Sequence, residues 1–438
     1  MEYKKYEIKE GIKLHLITTE SFKTDFSVIF ISMPLEKENI TKNALLPAIL
    51  KNGTNDLKTS QLISKELDML YGASFDCGID KTGDNIVLKF YIESINDNYL
   101  PKQENNLEKC LDILLKIVFE PLIVKDGFNK NYIENEKKNL EIIIESQKDD
   151  KDLYAYERCI NIMYNNSGFG LSKYGRKEDL KSINSTNLYE YYKKVVEKAK
   201  IDIILCGRFD KDNMKELVDN SKIIKNLNQR KEPIIINHFT KEVKENIKNP
   251  QIIEEQFLVS QGKLVLGLDI LPNKLGDFRF IAIIYNAIFG NGVNSKLFQI
   301  VREREGLAYT AKSEYIVQKN NIFIRCGIEC ENYNKTVSLI KRLLNDMKDG
   351  KFTEVDIEKA KEVILAGIDS INEEQDSQIL FKYGQELSKM ELDIDDYKEK
   401  IKNVTYNEIK EFSKYIQINC IYFLKNGGEN ADNWKWIN

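Results

Sequence analysis

The sequence is poor in the side chains that most often carry metal or redox chemistry. Only two histidines occur in 438 residues, His15 and His238. Neither belongs to an H-x-x-E-H in either direction, and no C-x-x-C is present, so the chain has no recognisable zinc site of its own. The cysteines number seven, at positions 77, 110, 159, 206, 326, 330 and 420. An odd, dispersed set excludes a disulfide framework and suggests reduced, buried thiols in a cytoplasm. Cys326 and Cys330 are the one close pair; on a strand they would share a face, but two further ligands are missing and core thiols are the expectation. No apolar run is long enough to span a bilayer. The N-terminal MEYKKYEIKEGIKLHLI alternates like a hairpin and lacks the apolar core of a signal peptide. Excess charge is absent too: 65 basic against 69 acidic side chains leave −4, which gives no electrostatic case for nucleic acid or an anionic membrane.

What remains is a folded chain, 42% hydrophobic and 31% charged, too long for a single growing core and therefore expected to form two or more domains. An internal repeat supplies them. LYGASFDCGIDKTGDNIVLKFYIE from Leu70 and GLAYTAKSEYIVQKNNIFIRCGIE from Gly306 share a Gly, a strand, a polar turn and a strand ending in Ile-Glu. Each precedes an amphipathic helix, from Leu107 and from Thr336, and then a long charged helical stretch, from Phe128 and from Phe352. Each half closes with a short helix and a strand. The halves read as two copies of one α+β unit with helices on one face of a sheet, spanning 1–225 and 256–438. Residues 226–255 carry Pro233 and Pro250 and no sustained period, as expected of an exposed linker that contributes an edge strand.

Within the second copy, NGVNSKLFQIVREREGLAYTAKSEY (Asn291 to Tyr315) reads as a Gly-punctuated turn, a helix from Ser295, a Gly break and a strand presenting Tyr309. The Gly290-Asn291-Gly292 turn lacks the Gly-Lys-Ser/Thr of a phosphate cradle. Arg302 and Tyr309, seven residues apart across the corner, are a guanidinium fork and a phenol able to donate to one substrate oxygen. The plain alternative is a solvated helix-end arginine and a half-buried strand tyrosine.

GNGVNSKLFQIVREREGLAYT resembles the C-terminal signature of the M16 peptidases (insulinase or pitrilysin, mitochondrial-processing-peptidase-like), and the repeat with its linker resembles the same family over essentially the whole chain. The resemblance implies two LuxS/MPP-like α/β half-domains with antiparallel-rich sheets, closing as a clam-shell. In the family the first half carries H-x-x-E-H before K/R-G-T. Here NALLPAILKNGT, Asn43 to Thr54, stands in its place. The two zinc histidines correspond to Ala44 and Ala48, and the water-activating glutamate to Pro47. Methyl groups and a prolyl ring offer neither ligand nor base. The expected local structure is the start of a packed helix with Asn43 near its cap. The family's later zinc-binding glutamate falls near Ile143, with Glu141 and Glu145 as neighbouring registers.

The resemblance thus implies a chain that binds no metal and is inactive alone: the non-metal subunit of a heterodimer whose zinc-bearing M16 homologue holds the metal. Arg302 and Tyr309 would then act in trans on the substrate at that zinc, each donor worth roughly 10²–10³ in kcat by analogy with oxyanion-hole donors. An exposed strand edge in the second half would align an extended peptide, and the pathway implied is maturation of peptides or of elongation factor P. Two rivals follow from the residues. One is a peptide- or protein-binding clam-shell without hydrolysis; the other is a self-contained peptidase with a metal held by Glu136, Glu141 and Glu145.

Overall fold

The computed structural model describes residues 2–102, 104–165, 167–228, 247–272 and 275–427. The chain forms two compact units that are not two consecutive spans. The first comprises Met1–Ser146, Leu171–His238 and Ile371–Leu387; the second comprises Gln147–Gly170, Phe239–Ser370 and Ser388–Asn438. Each sequential half therefore lends one segment to the other's unit.

In the first unit the strands are β1 (Glu2–Lys9), β2 (Ile12–Thr18), β3 (Thr24–Pro34), β4 (Ser74–Thr82), β5 (Asn85–Ile95), the short β6 (Ile123–Val124) and β7 (Gly127–Phe128), and β8 (Lys200–Gly207). The six-stranded sheet runs β1-β2-β8-β3-β5-β4, antiparallel throughout except for β2 beside β8. The expected hairpin forms from β1 and β2, turning at Gly11 with φ 74°, a backbone state that costs glycine nothing. Alternate residues of the central strands face opposite ways. Leu14, Ile29, Ile31, Leu88, Phe90 and Ile203 meet the unit's own helices on one face. Those helices are Ile40–Leu50, Ser60–Met69, Asn106–Phe119, Lys130–Ser146 and Ser185–Lys198.

On the opposite face, Val28, Phe30, Val87 and Ile204 meet Ile379, Tyr383 and Leu387 of the helix Gln375–Ser388, which belongs to the second half of the sequence. The expectation of helices on one face thus gains a second layer. A sheet apolar on both faces, as the near-continuous run TDFSVIFISMP announces, must be covered twice. Charge fastens the added helix. Glu386, with its side chain 8% exposed, meets Lys13 at 2.6 Å, Lys5 at 3.0 Å and Lys200 at 3.2 Å. Beneath it, Tyr3 hydrogen-bonds His15 Nδ1 at 2.8 Å while His15 Nε2 meets Asp202 at 3.0 Å. His15 is therefore a satisfied core histidine; His238 lies outside the described residues.

The second unit repeats the plan with β9 (Gln251–Phe257), β10 (Gly262–Ile270), β11 (Ala308–Ile316), β12 (Asn321–Ile328) and β13 (Ile416–Asn426) in the order β11-β12-β10-β13-β9. Position for position this matches β4-β5-β3-β8-β2, down to the parallel pair at one end, here β13 with β9. The edge strand expected from the linker is β9; of that linker, residues 229–246 lie outside the described residues. Helices Arg279–Phe289, Tyr333–Lys348, Glu354–Asp369, Ile394–Lys402 and Tyr406–Ser413 pack together through contacts such as Tyr285 with Phe412 and Phe280 with Tyr397. Val265, Phe323, Cys420 and Tyr422 pack against Tyr154, Tyr156, Cys159 and Ile160 of the helix Lys151–Met163, lent by the first half. Arg158, 1% exposed, fastens it to Glu255, whose carboxylate also accepts from Tyr154 and Tyr422.

The repeat also explains a difference from the expected long charged helices. Each is broken, by Gln147–Asp150 and by the turn Ser370–Glu373, and the part beyond the break joins the other unit. Asp150 caps the lent helix by accepting from Asp152 and Leu153 backbone N–H groups.

Candidate functional site

The helix Ile40–Leu50 carries Ala44, Pro47 and Ala48. Its N-cap residue is Asn39 rather than Asn43, which lies inside the helix, fully buried, and accepts a hydrogen bond from Tyr191 at 2.6 Å. Pro47 is accommodated within the helix although its ring removes a backbone N–H. Asn52 donates to the Ala48 carbonyl at 2.6 Å and lies 3.2 Å from the Glu136 carboxylate, and Cys77 Sγ lies 3.5 Å from the Pro47 carbonyl. Burial pushes the Cys77 thiol up to about 12, so it is a neutral packing group. The Gly53-Thr54 remainder of the motif is structural: Thr54 pairs backbone with Leu57, and a Cβ at Gly53 would press on the Lys58 carbonyl.

The donor set does not fit zinc. Ala44 and Ala48 offer methyl groups, Pro47 a pyrrolidine ring, and the neighbouring Asn52 and Cys77 a carboxamide and a protonated thiol, with Glu136 bonded to Asn52. Ile143 lies exposed, and Glu141 and Glu145 both pair with Lys177. The part of helix Lys130–Ser146 that reaches Asn52 is Glu136, about two helical turns before Ile143. Glu136 is thereby separated in its bonding from Glu141 and Glu145, and no group of three or more potential metal ligands occurs among the described residues.

Arg302 lies in a π-helix, Leu297–Arg304, closed by a Glu305 N–H to Ile300 carbonyl bond that reaches back five positions. Single π turns recur at functional positions because they re-aim side chains. The guanidinium stacks 4.6 Å from the Phe298 ring centre, with Nε 3.5 Å from Glu303, and the side chain stays 43% exposed. The chain then reverses at Gly306, φ 60°, and Leu307 N–H bonds back to Val301. Tyr309 follows at once. Ala308 faces Ile328 and Thr310 faces Gly327, so Tyr309 is the extra residue of a β-bulge. The bulge turns it outward, 54% exposed, and its hydroxyl donates to Glu329 at 2.7 Å. That bond and the carboxylate's charge raise the phenol's pKa. Arg302 and Tyr309 are thus both presented to solvent by local backbone irregularities, each held by a partner of its own. Glu329 and Phe298 were not singled out from sequence, although the repeated strand ending Ile-Glu contained the first.

Two expectations change here. Cys330 lies in the 3₁₀ turn Cys330–Asn332 after β12, so it does not share a strand with the buried Cys326. The outer edge of β11 is not open along its length: Ser313 N–H donates to the Gly290 carbonyl at 2.8 Å, and its carbonyl accepts from Asn286. Gly290 is needed for this approach, since a Cβ there would overlap the Ser313 hydroxyl. A groove of about 370 Å³ flanks the closure, lined by residues including Lys312, Glu314, Arg325 and Asn291.

Over 96% of its length the chain is 32% identical to a Bacillus subtilis protein described as "Probable inactive metalloprotease YmfF", covering 97% of that relative. The chain belongs to the M16 peptidase family. A family model described as "Peptidase M16 inactive domain" matches residues 182–364. A Helicobacter pylori relative, 21% identical over 69% of each chain, is described as "Non-peptidase homolog YmxG". Among solved structures, a conserved protein from Enterococcus faecalis V583 superposes with TM-score 0.88 at 27% identity, covering 98% of this chain and 99% of that one. A Pseudomonas fluorescens M16 inactive domain gives 0.77 at 16% identity over 97% and 98%, a likeness of fold. The chain is an inactive-type M16 homologue, by its likeness to these relatives. Among the described residues no helix is long and apolar enough to cross a membrane.

Proposed function

We propose that this M16 chain is the non-metal, cytoplasmic subunit of a heterodimeric zinc peptidase. Its partner is a homologue with an intact H-x-x-E-H, and Arg302 and Tyr309 contact the substrate bound at the partner's metal. One observation carries the reading. The helix that should hold the metal presents Ala44, Pro47 and Ala48, while the corner that should hold the donors keeps Arg302 and Tyr309 and turns both to solvent. The π-helix and the β-bulge aim these two side chains outward, which supports a role in contact with a ligand.

The chemistry asked of the pair is modest. As a peptide carbonyl is attacked, charge gathers on its oxygen, and a fixed guanidinium and phenol lower the barrier by hydrogen-bonding that charge. The substrate class supported is a polypeptide, and both peptide maturation and a role toward elongation factor P fall within it. The test is to mix the chain with its zinc-bearing homologue and follow cleavage of a fluorogenic peptide. Arg302→Ala should lower kcat about 10²-fold, the scale of one oxyanion donor, and an unchanged kcat would remove the catalytic role.

A second reading, a binding subunit without hydrolysis, is favoured by the engagement of the Tyr309 hydroxyl with Glu329. It predicts tight peptide binding and no cleavage with the partner present and zinc saturating.

A further inference from the structure

The Tyr309 hydroxyl has one proton, and that proton lies on the line to Glu329. A phenol whose O–H is given to a carboxylate shows the outside only lone pairs, so in the free chain Tyr309 is an acceptor and not a donor. Glu329 also brings negative charge to the place where a substrate oxygen would gain its own. The contact is built by two separate pieces of chain, the β11 bulge that turns Tyr309 outward and the segment leaving β12 at Glu329. The π-helix holds Arg302 apart from it, on Phe298 and Glu303.

We propose that Glu329 is a positioning residue that acts as a brake: it holds the Tyr309 hydroxyl in a fixed place but withholds its proton until substrate binding displaces the carboxylate. This rests on the reading of Tyr309 as a substrate-facing donor and adds to it the regulation of that donor. Glu303 meets Arg302 only at Nε, 3.5 Å away, and Phe298 only through its ring face, so the guanidinium has further N–H groups to offer, whereas the single Tyr309 proton is committed. The hold is reversible because the bond is exposed and competes with water, and the brake is therefore weak. Its release should change rate by about two- to fivefold, the range of an exposed electrostatic contact.

The experiment has two arms on the full-length chain. In the first, 3-fluorotyrosine is placed at position 309 and its ionisation is followed by fluorine NMR. Because the Glu329 bond and charge favour the protonated phenol, Glu329→Gln should lower the ionisation midpoint and Glu329→Asp should give a smaller change. An unmoved midpoint overturns the contact, whatever the enzyme does. In the second arm the chain is combined with its zinc-bearing homologue. Glu329→Gln should raise kcat about two- to fivefold with KM unchanged, and the Glu329→Gln, Tyr309→Phe double variant should fall to the level of Tyr309→Phe alone. If Tyr309→Phe lowers kcat but Glu329→Gln leaves it unchanged or lowers it, the brake is wrong while the donor reading stands. If Tyr309→Phe changes nothing, both fall. Thermal unfolding of each variant separates these outcomes from misfolding, and Glu329→Ala, which also removes the carboxylate, replaces Glu329→Gln if the latter unfolds.

Discussion

At the residue scale, two buried carboxylates respond to solvent in opposite directions. Asp25, 1% exposed, is pushed up to about 6 from 3.8 because burial penalises its charge more than the Arg208 backbone N–H and Asn96 bonds relieve it. Between those two values the folded chain binds the proton that the unfolded chain has lost, so stability falls as pH rises through the window, by up to about 3 kcal/mol. Asp25→Asn should flatten that slope in denaturant titrations run from pH 4 to 7. Glu386 behaves in the reverse sense. Burial alone would raise it, but the Lys13 hydrogen bond and the charges of Lys200 and Lys5 hold it well below the carboxylate range. Its contribution is present above the ordinary value near 4.5 and fades as pH falls toward its folded value. Glu386→Ala should cost about 2–3 kcal/mol at pH 7, less than a fully buried pair because the lysines reach water, and wild type and variant should converge in strong acid. Of the candidate site, the sequence spelled out Arg302, Tyr309 and the donor-less Ala44, Pro47 and Ala48. It hid Glu329, because a hydroxyl and a carboxylate 20 positions apart become partners only when β11 pairs with β12 out of step at the bulge.

At the scale of elements, the strand edge beside Tyr309 is managed rather than free. An open edge is a template for unwanted pairing, and here the turn after helix Arg279–Phe289 closes it through Gly290 to Ser313. Gly290→Ala should destabilise the chain by about 1–3 kcal/mol, the cost of overpacking, and should speed amide exchange at Ser313. If exchange there is unchanged, the closure is not what protects the edge. The strand and helix order was legible because apolar residues at period two and at three and four announce a strand and a helix whatever lies far away. The π form of Leu297–Arg304 was not, since two turns of i+5 bonding are too short to mark the apolar period. Nor was the start of the first helix, where Asn39 and Asn43 offer the same capping chemistry four residues apart.

For the whole molecule, the loan of one helix by each sequential half has a folding consequence. Residues 1–225 made alone would keep the first sheet but lose the helix Gln375–Ser388, leaving Val28, Phe30, Val87 and Ile204 wet. Residues 247–438, which keep β9 and Glu255, made alone would lose Lys151–Met163 and uncover Phe323 and Tyr422. Each half alone should therefore unfold without cooperativity or aggregate, and the two mixed should recover one sharp transition by circular dichroism. Independent cooperative unfolding of either half would show that the lent helices are dispensable.

The sequence by itself determined the repeat and the edge strand after Pro250, because periodicity and a proline break mark them locally. It also placed Ala44, Pro47 and Ala48 where the resemblance to M16 peptidases expects two zinc ligands and a base, while the family itself is shown by 32% identity to a relative over 96% of the chain. Only the tertiary structure decided which sheet each broken helix covers, that Glu136 accepts a hydrogen bond from Asn52, that β11 is closed at Ser313, and that Tyr309 is held by Glu329. These rest on contacts between residues far apart in the chain, where many partners satisfy the same pattern and the fold selects the one whose burial and hydrogen bonds are met together.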